Sequence, residues 1–100
     1  MKSVITVFTD GASRGNPGKG GWGSIIIADT GDKDTSKVIE LGGREDHTTN
    51  NRMEMTAALE ALKTIRDREL EGDIEIHTDS AYLINGITMW IWGIRLRRKT

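Results

Sequence analysis

Residues 51–79 read NRMEMTAALEALKTIRDRELEGDIEIHTD, and a change of period inside them decides the fold. Met55, Ala58, Leu59, Leu62 and Ile65 recur at three- and four-residue intervals, which keeps apolar side chains on one side of a helix, so a helix is expected over residues 51–70. Gly72 ends it. Ile74, Ile76 and Thr78 then alternate with Glu75, His77 and Asp79, the period of a strand with one apolar face.

Upstream, the pattern is that of strands. Residues 4–8, Val-Ile-Thr-Val-Phe, are β-branched and apolar on both faces, which suits a short central strand that stops at Thr9-Asp10-Gly11. Residues 14–21 hold four glycines and the sole proline of the chain, and are expected to be a turn-rich loop. Residues 22–28, with Ile25-Ile26-Ile27, make a second strand. A turn at Thr30-Gly31-Asp32 and a third strand on Val38, Ile39 and Leu41, ended by Gly42-Gly43, complete an antiparallel meander. Downstream of Asp79, Ser80 is positioned to cap a short helix to about Asn85, closed by Gly86, with a further helical turn at 89–92.

Three antiparallel strands, a helix and a fourth strand make the last connection a crossover. A right-handed crossover lays the fourth strand parallel to the first, giving an α/β fold with a mixed sheet. Strand one ends in Phe8-Thr9-Asp10-Gly11 and strand four in His77-Thr78-Asp79-Ser80, so pairing them brings both aspartates to one carboxyl edge. Open α/β sheets place ligands at that edge.

Composition limits what can happen there. One hundred residues, 36% apolar and 29% charged, suit a single domain over residues 1–100. The absence of cysteine removes disulfides, thiolate metal sites and cysteine nucleophiles together, leaving carboxylates, two histidines and hydroxyls for chemistry. No apolar stretch approaches the ~20 residues a bilayer requires, and a cytoplasmic location with no membrane partner is expected. The net charge of −1 conceals a polarity: Arg95, Arg97, Arg98 and Lys99 crowd the last six residues, while Asp67, Glu69, Glu71, Asp73, Glu75 and Asp79 face only Arg68.

Glu54 is the third carboxylate of interest. It lies at the start of the long helix, beside Ala58, Ala61 and Ile65 on the border of the apolar stripe, where small residues let a helix approach a sheet closely. Each acid has a plainer explanation. Asn51 and Glu54 are spaced as a capping box, Asp79 is a candidate N-cap, and Asp10-Gly11 is a turn dipeptide. One topology nevertheless sends Asp10, Glu54 and Asp79 to the same place. Clustered carboxylates repel one another unless a cation lies between them. An oxygen-only donor set suits Mg²⁺, or Mn²⁺ in its place, rather than zinc. Such ions bind phosphate oxygens, which points to two-metal phosphoryl transfer. A carboxyl-protease dyad fits less well, since Thr78-Asp79-Ser80 lacks the glycine of Thr9-Asp10-Gly11.

The motifs as a set resemble the bacterial type I ribonuclease H enzymes. Residues 9–18, Thr-Asp-Gly-Ala-Ser-Arg-Gly-Asn-Pro-Gly, followed by Gly20-Gly21-Trp22-Gly23, are similar to that family's first strand and glycine loop. Thr48-Thr49-Asn50-Asn51-Arg52-Met53-Glu54 resembles its helix start, and Thr78-Asp79-Ser80 its third acidic motif. The resemblance implies metal-dependent endonucleolytic hydrolysis of the RNA strand of an RNA–DNA hybrid, leaving 5′-phosphate and 3′-hydroxyl ends. Asp10, Glu54 and Asp79 would be the catalytic metal ligands. Gly11, Asn16 and Asn50 would approach the RNA sugar edge, Thr49 a DNA phosphate and Asn51 the minor groove. Arg52 is read either as a surface charge or as a group on the substrate side, arginine being suited to phosphate.

The chain departs from the family pattern beyond Asp79. Ala81 stands where the family usually has glutamine, His47 where arginine is common and Ile94 where a tryptophan is expected; residues 95–99 only approximate a basic protrusion. Trp90 and Trp92 are read as packing residues. The family continues with another helix, a fifth strand, a histidine loop and a final helix carrying a fourth acid. No counterpart of these is read here, and no Asp or Glu follows Asp79. The expectation is therefore a ribonuclease H-like domain lacking the last strand and helices, with reduced activity. A monomer is implied, with surface left uncovered that invites self-association. The alternatives are a non-catalytic nucleic-acid-binding fragment of the same fold and, more remotely, a protein-interaction module.

Overall fold

The computed structural model describes residues 4–15, 17–29, 36–78 and 94–98. The turn expected at residues 30–32, the helical segments expected at 80–85 and 89–92, Asn16, Asp79, Trp90 and Trp92 lie outside the described residues.

The elements run β1 (Val4–Ser13), β2 (Gly18–Asp29), β3 (Ser36–Thr48), α1 (Asn50–Asp67), β4 (Asp73–Thr78) and β5 (Ile94–Arg98). They form one sheet in the order β3-β2-β1-β4-β5. As expected, β1, β2 and β3 make an antiparallel meander, and the α1 crossover lays β4 parallel to β1, with Val7 opposite Ile76 and Phe8 opposite His77.

The strands outrun their expected ends. β1 continues through Asp10 and Gly11 to Ser13, and β2 begins at Gly18, so the loop expected over residues 14–21 contracts to residues 14–17. β3 does not end at Gly42-Gly43. Those glycines pair with Gly23 and Trp22, and the ladder runs on to Thr48. Continuous pairing with β2 satisfies the backbone groups of Gly42 and Gly43, which outweighs the weak strand preference of glycine. A further strand also departs from expectation. Ile94–Arg98 pairs in parallel with β4, placing Ile94 opposite Ile74 and Leu96 opposite Ile76, so the basic run belongs to the sheet and β4 is not an edge. The alternation of Ile94 and Leu96 with Arg95 and Arg97 has the period of a strand, a signal masked by its charge.

Alternation in the strands puts Ile39, Ile26, Val7 and Ile76 in one row across β3, β2, β1 and β4, all buried, and α1 covers them. The helix face that meets the sheet is Met53, Ala57, Ala58, Ala61 and Ile65. This rotates the expected stripe: Leu59 is 47% exposed and Met55 only half-buried, whereas Met53 and Ala57 are inside. The three alanines, fully buried, account for the rotation, because they allow the closest approach to the sheet. Ser24, also buried, donates its hydroxyl to the Ala57 carbonyl at 2.6 Å. α1 ends at Asp67, before Gly72. Arg68 N–H bonds to the Thr64 carbonyl, and Glu69, at φ 53°, turns the chain so that Leu70 N–H reaches the Ile65 carbonyl.

The opposite face of the sheet presents Phe8 and Ile25, neighbours in register, and Val38, all exposed. His77 stacks on Phe8 with ring centroids 4.9 Å apart, and its Nε2 lies 3.0 Å from Glu75 Oε1. Among the described residues no helix is long and apolar enough to cross a membrane.

Candidate active site

The carboxyl ends of β1 and β4 meet the start of α1, and Glu54 joins all three. Its Oε1 accepts the Gly11 N–H at 3.3 Å, and its Oε2 lies 3.5 Å from Thr78 Oγ1, which donates to it. One carboxylate therefore touches the residue after Asp10 and the residue before Asp79. The contact requires a glycine. A Cβ at Gly11 would lie 2.6 Å from both Glu54 N and the Met53 carbonyl carbon, so any side chain there would drive α1 off the strand.

Thr9 and Thr78 complete the support. Both are buried, and Thr9 Oγ1 donates to the His77 carbonyl at 3.3 Å, closing β1 on β4 beside the two aspartate positions. Asp10 is exposed, paired in register with Gly23 of β2. Asp79 follows Thr78 directly but lies outside the described residues. Among the described residues no group of three histidine or acidic side chains is close enough to hold a metal ion.

The start of α1 differs from the capping box expected of Asn51 and Glu54. Thr49 is the N-cap, its hydroxyl accepting from Arg52 N–H at 3.2 Å and its carbonyl from Met53 N–H at 3.1 Å. Threonine and asparagine both cap helices well, so the sequence left the first turn free to start at either. With the cap at Thr49, Glu54 is too far along the helix to reach back to the cap, and is available to the strand ends. Asn50 takes a different role. Its Oδ1 accepts the Ser13 N–H at 2.6 Å, while the Ser13 hydroxyl lies 3.1 Å from the same oxygen and 2.8 Å from the Gly15 carbonyl. Asn51 and Arg52 are exposed on the first turn. Asn16 lies outside the described residues.

Ser13, Thr9 and Thr78 are the supporting residues that sequence reasoning left without a role. Thr9 and Thr78 carried a signal: each precedes an aspartate at an inward position of its strand, where a hydroxyl must find a partner.

The donor set brought to this edge is oxygen only, with Glu54 hydrogen-bonded to Gly11 and Thr78 and Asp10 open to solvent. It fits a hard divalent cation.

The family model described as RNase H matches residues 2–100. The Ribonuclease HI of Rickettsia prowazekii (strain Madrid E) is 53% identical over 91 residues, which are 91% of this chain and 54% of that protein. The chain thus spans about half the length of the curated relatives it matches. Among solved structures, LC9-RNase H1, described as a type 1 RNase H with the type 2 active-site motif, has a TM-score of 0.75 at 27% identity, covering 90% of this chain and 45% of that one. LC11-RNase H1, solved in complex with an RNA/DNA hybrid, has a TM-score of 0.70 at 22% identity, covering 95% and 84%, a likeness of fold.

Proposed function

This chain belongs to the ribonuclease H family, and on that premise we propose that it hydrolyses the RNA strand of RNA–DNA hybrids endonucleolytically. The observation that carries the reading is the double attachment of Glu54 to Gly11 and Thr78, which fastens the acid from the helix beside the two strand ends bearing Asp10 and Asp79. LC11-RNase H1, a relative in fold, is held on an RNA/DNA hybrid, and this supports the choice of substrate.

Asp10, Glu54 and Asp79 would hold Mg²⁺, or Mn²⁺ in its place. The chemistry such ions supply when bound is a more acidic water and neutralisation of charge on the phosphodiester. The chain's own residues do the positioning. Thr9 and Thr78 fix the strand ends, and Glu54 stays oriented through Gly11. The backbone at Gly11 and the amides of Asn16 and Asn50 approach the RNA sugar, where the 2′-hydroxyl separates RNA from DNA. Thr49 and Arg52 face phosphates, which set register, and Asn51 reaches the minor groove. Water attacks phosphorus and the bond to O3′ breaks, leaving a 5′-phosphate and a 3′-hydroxyl.

Residues 1–100 act as one ribonuclease H-like unit in the cytoplasm. The unit works as a monomer.

The test is cleavage of a labelled RNA–DNA hybrid in Mg²⁺ and then Mn²⁺, beside an all-DNA duplex and an Asp10→Asn control. Hybrid-only cleavage lost in the control is the expected result. Cleavage that survives Asp10→Asn removes Asp10 from the chemistry, and hybrid binding without cleavage in either metal leaves a binding fragment.

A further inference from the structure

A groove of about 430 Å³ opens where β1, β2 and β3 run beyond the candidate site, and its walls carry Arg14, Lys19 and Arg44 over a floor of Gly20 and Gly21. The geometry points to a second phosphate-binding subsite here, one that grips the nucleic-acid backbone away from the scissile bond. This inference rests on the hybrid-hydrolysis reading above.

Three features support it. The first is that the cations are positioned by the fold. Arg14 N–H donates to the Lys19 carbonyl at 2.7 Å, closing the 14–19 loop, and Gly15 at φ +82° supplies a backbone conformation other residues rarely adopt. Arg44 meets them from β3, in register with Gly21, next to a shift of register between Gly18 and Gly20 that gives β3 one residue more than β2.

Second, the positive charge is available. Glu45 and Asp46 line the same groove, so cations exceed acids by one, and no described carboxylate lies within 4.0 Å of Arg14, Lys19 or Arg44. All three cations are exposed.

Third, the spacing suits a polynucleotide. Ser13, at the mouth of the groove, lies three residues past Asp10 on the same strand, about 10 Å at ~3.3 Å per residue. A duplex bound at Asp10 is long enough to reach across this distance, which brings the groove within range of its backbone. Phosphate contacts fix register without reading the sugar, so the subsite serves hybrid and DNA duplex alike.

The test measures affinity for a labelled RNA–DNA hybrid and for an all-DNA duplex of the same sequence across a salt series, in Ca²⁺ to suppress cleavage. It uses the whole chain, the triple variant Arg14→Gln/Lys19→Gln/Arg44→Gln, and Lys37→Gln as a control at the other end of β3. Circular dichroism and thermal melting establish that each is folded; should the triple variant unfold, Arg44→Gln alone decides. The expected result is an affinity lower by about ten- to one-hundred-fold for both duplexes, with a log–log salt slope shallower by about 2 to 3, or by about 1 for Arg44→Gln alone. Lys37→Gln leaves both unchanged. An unaltered affinity and slope in the folded variant overturns the subsite while leaving the hydrolysis reading intact. A loss confined to the hybrid overturns the phosphate assignment. Failure of the unsubstituted chain to bind any hybrid overturns the hydrolysis reading itself, and the subsite with it.

Discussion

Glu54 Oε1 accepts the Gly11 N–H at 3.3 Å, a bond between residues forty-three positions apart that fixes the start of α1 against the end of β1. The strand carries Asp10 and the helix carries Glu54, so this contact sets how the two acids stand to one another.

Gly11→Ala tests the contact by steric pressure. The added methyl would lie 2.6 Å from Glu54 N and from the Met53 carbonyl carbon, both backbone atoms that a rotamer change cannot move. Overpacking of this kind costs about 1–3 kcal/mol. Urea denaturation should show that loss, and hybrid cleavage should fall by more than stability accounts for at temperatures where the variant is fully folded.

Asn50 separates fold from binding. Its Oδ1 accepts the Ser13 N–H at 2.6 Å, and Asn50→Asp preserves an acceptor there, whereas Asn50→Ala removes it. Asn50→Ala should destabilise the chain by about 1 kcal/mol. Asn50→Asp should keep the melting temperature nearly unchanged yet weaken hybrid binding, because it would set a negative charge where the proposed function places the RNA. Melting curves and hybrid titrations of both variants distinguish the two effects.

Thr49 caps α1, with its hydroxyl 3.2 Å from Arg52 N. Thr49→Ala should cost about 1 kcal/mol of stability, and Thr49→Ser should restore most of it. If Thr49 also meets a phosphate, both stability and hybrid affinity fall in the alanine variant and recover in the serine variant. A recovery of stability alone would assign Thr49 to the helix cap only.

Ser24 is the control far from chemistry. Its buried hydroxyl bonds the Ala57 carbonyl at 2.6 Å, tying β2 to the middle of α1. Ser24→Ala should cost about 0.5–1.5 kcal/mol and leave kcat and KM for hybrid cleavage unchanged at temperatures where the variant is folded.

Much of this arrangement was legible in the sequence, because hydrophobic period reports burial directly. The switch from a β-branched apolar run in β1 to a helical stripe in α1 and then to alternation in β4 was enough for the crossover, and the Phe8–His77 register then carries β1 and β4 to a common edge. What was not legible depends on long-range partners. Gly42 and Gly43 look like a strand end until Trp22 and Gly23 pair with them across the sheet. Asn51 and Glu54 have capping-box spacing, yet Thr49 wins the cap and leaves Glu54 to Gly11, a choice that tertiary contact makes and local propensity does not. Ile94–Arg98 carried a strand period hidden under three arginines. Leu59 falls on the apolar stripe of the sequence yet lies outside, since a helix face rich in alanine rotates toward its smallest residues.

The central claim is that Glu54 contributes charge to the chemistry and not merely a link between helix and strand. Glu54→Gln is the most direct measurement. The amide keeps an oxygen to accept the Gly11 N–H and nearly the same shape, while the negative charge is lost. The expected result is an unchanged melting temperature, retained hybrid binding and hybrid cleavage reduced by at least about a hundredfold, on the scale of removing a principal catalytic electrostatic group. Cleavage at the unsubstituted rate in a folded Glu54→Gln chain would contradict it and leave Glu54 a structural bond alone.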